Sequence, residues 1–312
     1  MFIESLRAEE ADFGPVLSEG KTQLFFAGFC DSYAQPQKLN MYLLPNFNLN
    51  KLHLLSNDCG YHLGEVGLFS NRKNSIMQTY RLLTYEHAYG NTGHLSGVTI
   101  LPYRPVTREI LRSYFLIQPA QKYYALTPIK NIWYNVNGKL GTVDDAVRAG
   151  TLATNQIKLV YANGYEAAAN MNPDRNFEVV LHGKKYILPF CGFAACLPGK
   201  VEVYSALNQA GERTSVMREG DLVYAVNPQD IAELNARYDY TLRTKGKTLE
   251  LTPAPFVRPE TVKVKVPFDG QARVLCVDRQ SKTLGSLDAA VTNHQIAIAV
   301  DGKAFRYIIS QR

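Results

Sequence analysis

Three acidic residues near the start of the chain stand where a fold can put a carboxylate to work. "GPVLSEG" at 14–20 is a short apolar run ending in Glu19 with a glycine straight after it, the pattern by which a buried strand delivers a carboxylate to a pocket. "LFFAGFCDS" at 24–32 carries Asp31, and "KLHLLSND" at 51–58 ends in Asp58. Carboxylates at strand ends can give or take a proton from a bound molecule. Each also has a plainer reading: Glu19 as an exposed turn acid, Asp58 as a helix or turn cap. Glu65 and Glu86 rank below these three. Glu86 lies inside a helical pattern beside its apolar stripe, where an ion pair or solvent exposure accounts for it.

His62 and Glu65, with Asp58 just upstream, put three potential metal ligands within eight residues, but neither a zincin spacing nor a calcium-loop pattern occurs, and no metal is expected. Cys191 and Cys196 in "CGFAAC" have no second pair or histidine cluster to complete a site, and read as small buried hydrophobes. "GxSxG" is absent, as are the glycine-rich phrases that cradle nucleotide phosphates. No cofactor is expected.

Composition narrows the classes further. The 312 residues can hold two or three domains, each burying its own core. Hydrophobic residues are 46% and charged residues 20%, ordinary soluble usage, and no run has the length of a membrane span. A net charge of +6 is modest, and the densest basic cluster, "RTKGK" at 243–247, reads as a solvated turn, so nucleic acid is set aside. Nineteen Tyr against one Trp supplies amphipathic rings suited to polar ligand surfaces and core edges alike. "MFIESLRAEEAD" has no secretory pattern, which leaves the compartment open.

The elements that must position these residues change character along the chain. Up to about 127 the reading is α/β: strands at "GPVLSEG" and "KLHLLSND", a helix over "SIMQTYRLLTYEHAYG" at 75–90, and a helix from Thr107 that Pro119 ends or kinks. In the first helix Ser75 and Gln78 form a capping box, and Met77, Tyr80, Leu83, Thr84 and His87 share a face. From about 128 the period falls to two. "IKNIWYNVNGKL" and "IKLVYANGYEAAAN" place Asn-Gly between apolar runs, and "QIAIAVDGKAFRYII" places Asp-Gly, all hairpin signals. The pattern gives a β-sandwich over 128–230 and a smaller one over 240–312, where "TVKVKV" alternates strictly. Tyr134, Tyr161 and Tyr165, with Trp133, sit on or beside hairpins and read as core residues rather than exposed rings for stacking.

"GPVLSEG", "FAGFCDS", "DCGYHLGEV" and "YEHAYGNTGHL", followed by two β-rich segments, together resemble the C-terminal part of large bacterial glycoside hydrolases allied to the endo-α-N-acetylgalactosaminidases. The resemblance covers about residues 10–230 and rests on short phrases. It implies the C-terminal portion of a (β/α)8 barrel followed by two antiparallel β-sandwich domains, and cleavage of an oligosaccharide or polysaccharide by paired carboxylates. Barrel chemistry sits at the C-terminal rim of the strands, so the resemblance makes Glu19 the general acid/base, with Asp58 and then Asp31 as the second carboxylate. Tyr61, His62 and His94 would line the sugar site.

A barrel takes about 250 residues, and far fewer precede the β-rich part here. Either the missing N-terminal barrel half lies in a longer protein or a second chain, or the α/β part is a smaller fold. The rival reading is a non-catalytic carbohydrate-binding or surface-assembly module.

Overall fold

A computed structural model of the chain describes residues 8, 11–12, 17–19, 32–34, 54–55, 57–59, 61–64, 76–93, 108–229 and 231–312. The chain divides into two compact units, Met1–Pro198 and Gly199–Arg312.

In the first unit, strands β1 (Leu17–Glu19), β2 (Ser32–Ala34) and β3 (Tyr61–Leu63) run parallel in the order β1-β2-β3, with Glu19 opposite Ala34 and Ala34 opposite Leu63. Helices α1 (Ile76–Tyr89) and α2 (Arg108–Tyr124) follow. The chain then turns antiparallel. Strands β4 (Ile129–Val136), β5 (Lys139–Gly141), β6 (Gln156–Tyr161), β7 (Glu166–Asn170) and β10 (Gly192–Leu197) lie in the order β10-β7-β6-β4-β5, and β8 (Phe177–Leu181) pairs with β9 (Lys184–Leu188). The short helix α3 (Val143–Arg148) opens on a complete capping box between Thr142 and Asp145. The expected Asn-Gly hairpins form: Asn137 and Gly138 both adopt left-handed backbone between β4 and β5, the type I′ geometry, and the Asn163-Gly164 turn joins β6 to β7.

These elements correct the expectation of a (β/α)8 barrel portion. A barrel closes eight parallel strands, each followed by a helix. Among the described residues the parallel strands number three, each of three residues, three α-helices have full bounds, and every strand pair from Ile129 onward is antiparallel. From there on strands are joined mostly by tight turns, and the one short α-helix, after β5, lies between strands that each pair antiparallel with β4, so no βαβ unit of paired parallel strands forms among the described residues.

Three local expectations also change. The described residues of "KLHLLSND" are not strand: Leu54 and Leu55 are helical, and 57–59 form a turn. Pro119 neither ends nor breaks α2, which continues to Tyr124 with Leu116, Ile117 and Ala120 buried around it, so packing outweighs the lost backbone donor. Helix α1 has no single core stripe. From Leu82 to Tyr89 every residue is buried, whereas Met77, assigned to the core face, is exposed.

The second unit is antiparallel throughout. Strands β11 (Val201–Leu207), β12 (Arg213–Glu219), β13 (Leu222–Val226), β15 (Tyr240–Lys245), β16 (Thr248–Pro253), β18 (Gly270–Val277), β19 (Thr283–Val291) and β21 (Arg306–Gln311) lie in the order β19-β18-β21-β16-β15-β13-β12-β11. A second sheet orders β14 (Leu234–Asn235), β17 (Glu260–Lys265) and β20 (Gln295–Val300) as β14-β17-β20. "TVKVKV" does alternate: Val262, Val264 and Val266 are buried and the lysines between them exposed. With Ile296, Ile298 and Val300 they face Leu242, Leu251, Val274 and Ile309 in one apolar cluster. Each such buried side chain contributes about 1.5–3 kcal/mol, which is what holds the small sheet on the large one.

The Asp301-Gly302 hairpin does not form. Strand β20 before it pairs with β17, and β21 after it pairs with β16 and β18, so the chain crosses from one sheet to the other over 301–305. Among the described residues no helix is long and apolar enough to cross a membrane.

Candidate functional site

Among the described residues, two places are candidates for a functional site. The first is the end of the parallel strands. Glu19 is the last residue of β1, at the C-terminal edge where α/β sheets bind ligands. Tyr61 and His62 lie on β3, two strands away, and Tyr61 is exposed. Asp58 sits in the turn that leads into the opposite, N-terminal end of β3, exposed, with its Oδ1 accepting from the Cys59 thiol. The parallel strands therefore join the backbones of Glu19, Tyr61 and His62 in one sheet and leave Asp58 at the other edge. Asp31 and His94 lie outside the described residues.

Two neighbouring residues that drew less notice in the sequence are built in more tightly. Gly64 follows β3, and its backbone N–H donates to the Thr92 carbonyl at 2.7 Å. The fully buried carboxyl of Glu86, reaching from α1, fills the space where a side chain at 64 would stand. Asn57, next to the exposed Asp58, is buried, and its Nδ2 donates to the carbonyls of Tyr124 and Thr127 at 2.8 and 2.9 Å. It closes the C-terminal end of α2, whose last carbonyls have no helical partner.

Behind this edge lies a buried aromatic layer. His87 stacks on Phe193 at 4.5 Å, and its Nε2 shares a hydrogen bond with the Leu116 carbonyl at 3.0 Å. Burial pulls its pKa down to about 4, so the ring is neutral and Nε2 is the donor. Tyr124, Tyr161 and Tyr165 pack mutually at 5.4–6.0 Å. Burial pushes all three phenols upward, so each stays neutral. Tyr134, Tyr161 and Tyr165 are core residues, as read from the sequence, whereas Trp133 is only half-buried. This layer braces the sheet and offers no ligand surface.

The second place is an open cleft of about 320 Å³ in the second unit. Three turns build it, from 253–257, from 278–282 and from the sheet-crossing segment 301–305. The Val257 N–H donates to the Ala254 carbonyl, Ser281 N–H to Asp278, and Phe305 N–H to Val277. Pro253, Pro255 and Phe305 give apolar wall, and Asp278, Arg279, Gln280 and Lys303 give polar tips. Phe305 is 39% exposed, with the Arg279 guanidinium 5.8 Å from its ring centroid. Asp301, at the start of the crossing segment, accepts from the Lys303 N–H and from the Tyr307 hydroxyl. The Lys303 backbone donor first, then Tyr307, hold its carboxyl below the ordinary range. A cleft of this size is at the low end for small-molecule sites, about 300–1,000 Å³. Its mixture of ring, proline and charged groups suits a small amphipathic ligand.

Nothing local in the sequence marks this cleft. Its residues come from three turns spread between Pro253 and Phe305, and the one signal at 301–302 pointed to a hairpin.

A third cluster is structural. Arg218 on β12 binds Glu233 through Nε and Nη2 at 2.6 and 2.9 Å and Glu202 through Nη1 at 2.7 Å, over the Tyr204 ring. Burial alone would lower the pKa of Arg218, but the bonds to Glu233 outweigh it and hold the charge in place.

No protein-family model matches the chain. Nor does any curated protein.

Proposed function

We propose that this chain is a non-catalytic carbohydrate-binding module whose ligand sits in the cleft of the second unit. One observation carries the reading: the exposed ring of Phe305 lines one cleft together with Pro253, Pro255 and the polar groups of Asp278, Arg279, Gln280 and Lys303. A sugar has an apolar face of C–H groups and a rim of hydroxyls, so it needs an aromatic or proline platform with hydrogen-bonding tips around it. The cleft supplies both. The antiparallel sheets beneath it are a rigid support for turns that carry the contacts. The test is affinity electrophoresis of the full chain in gels containing a panel of polysaccharides. Retardation that Phe305→Ala abolishes supports the reading, and unchanged mobility across neutral and acidic polysaccharides contradicts it.

One observation favours a second reading, hydrolysis of a glycosidic bond. Glu19 ends a parallel strand at the same edge where the Glu86 carboxyl is seated on Gly64. In this reading Glu19 is the acid/base, Glu86 a positioning residue beneath the edge, and the second catalytic carboxylate is unassigned, since Asp58 stands at the other end of β3. Loss of a true acid/base costs about 10²-fold or more. Turnover of aryl glycosides by the full chain that falls by this amount in Glu19→Gln supports hydrolysis; no turnover, or turnover indifferent to the substitution, removes it.

A further inference from the structure

The charges around the cleft bear on which sugar enters it. Two cations and one carboxylate line it: Arg279, Lys303 and Asp278. The acids are engaged by the fold itself. Asp278 Oδ1 accepts from the Lys282 N–H at 2.8 Å, and Asp301 Oδ1 from the Lys303 N–H at 3.0 Å and the Tyr307 hydroxyl at 3.2 Å. Both contacts fix turns, so the carboxylates serve the backbone.

The cations are placed differently. Among the described residues neither Arg279 nor Lys303 forms an ion pair with a carboxylate within 4.0 Å, whereas Arg306, beside Phe305, binds Glu250. Arg279 is held instead over the Phe305 ring. A guanidinium resting on an aromatic face keeps its planar set of N–H donors turned toward other partners, and that set matches a carboxylate bidentately. Lys303, on the crossing segment two residues before Phe305, adds a second positive charge to the cleft lining.

We propose that the cleft selects a carboxylate-bearing sugar, a uronate residue of an acidic glycan, with its carboxylate at Arg279, Lys303 reinforcing the charge, and its apolar ring face on Phe305 and the prolines. The inference rests on the glycan-binding reading and refines it. Neutral sugars would use the same platform without engaging the two cations. Other polyanions would satisfy the charges without using the ring.

Calorimetric titration of the full chain with uronate oligosaccharides, and with the same oligosaccharides after reduction of each carboxyl to a primary alcohol, separates these cases. A hydrogen-bonded charge is worth enough for about tenfold or more in affinity, so the acidic forms should bind at least that much tighter. Arg279→Ala and Lys303→Ala should erase the difference, and Phe305→Ala should weaken both forms. Equal binding of acidic and reduced forms, still lost with Phe305→Ala, overturns the selectivity and leaves the glycan reading standing. Binding of neither form overturns both. Single-stranded DNA bound as tightly as uronates, indifferent to Phe305→Ala, makes the site a general anion patch and also overturns the inference.

Discussion

The carboxyl group of Glu86 occupies the side-chain position of Gly64. A Cβ built on Gly64 would overlap Cδ and both oxygens of that carboxyl, which is fully buried. With Glu86 seated in this way near the C-terminal end of α1, only glycine fits at the end of β3. Gly64→Ala should push the carboxyl out of its seat and cost about 1–3 kcal/mol by overpacking. In a Glu86→Ala background the same substitution should cost clearly less, because contacting residues couple. Denaturant unfolding of the four variants measures the coupling, and additive losses would mean that the contact carries nothing.

His87 predicts acid sensitivity. Its folded pKa is about 4 against an ordinary 6.5, so the unfolded chain takes up the proton first as pH falls. Stability from the neutral ring is complete above about pH 6.5 and is lost as pH drops through the folded value near 4. The shift corresponds to about 3 kcal/mol. His87→Phe, which keeps an aromatic ring against Phe193, should flatten this part of the stability profile while lowering its plateau through the lost bond to Leu116. A wild-type profile with no excess slope between pH 6.5 and 4 over that of the variant would contradict it.

Adjacent residues at the 57–59 turn should behave oppositely. Asn57→Ala removes the amide donor to the buried Tyr124 carbonyl, which keeps only the Thr127 N–H, and to the half-buried Thr127 carbonyl, a loss of about 1–3 kcal/mol. Asp58→Asn is an exposed change and should stay within about 0.5 kcal/mol. Thermal unfolding of the two variants side by side checks the contrast.

This pair also shows how far the sequence can be read. An acid after an apolar run draws attention because it can do chemistry, yet the built-in residue is the amide beside it, whose partners Tyr124 and Thr127 lie about 70 positions away. Local signals were legible where local physics decides: Asn137-Gly138 makes its hairpin, and Val262 and Val264 alternate as a half-buried strand must. They misled where distant packing decides. Asp301-Gly302 carries the hairpin signal of Asn137-Gly138, but β20 and β21 find better partners in different sheets. Pro119 stays inside a helix because Leu116 and Ala120 are buried around it. The parallel strands β1–β3 were consistent with a barrel reading only until the antiparallel remainder was in view. The cleft was invisible, since Pro253, Arg279 and Phe305 meet only after both sheets have formed.

Arg218 anchors the opposite end of the second unit's large sheet. Its side chain is 24% exposed and tied to two glutamates, so Arg218→Met leaves Glu202 and Glu233 facing each other without a cation. Breaking a fully buried pair costs about 3–5 kcal/mol and an exposed one less than about 1, which puts this partly screened triad near 2 kcal/mol. Replacing all three by apolar residues should recover most of the loss. Denaturant titration of the single and triple variants tests this, and a triple variant weaker than the single one would contradict it.

The central claim is that the cleft of the second unit binds glycan through Phe305. It is tested most directly by titrating the full chain and its Phe305→Ala variant with a uronate oligosaccharide. The account predicts saturable binding by the parent chain and a loss of about tenfold or more in the variant, the value of a stacked ring with its neighbouring contacts. Equal affinity in both, or saturation in neither, would contradict it.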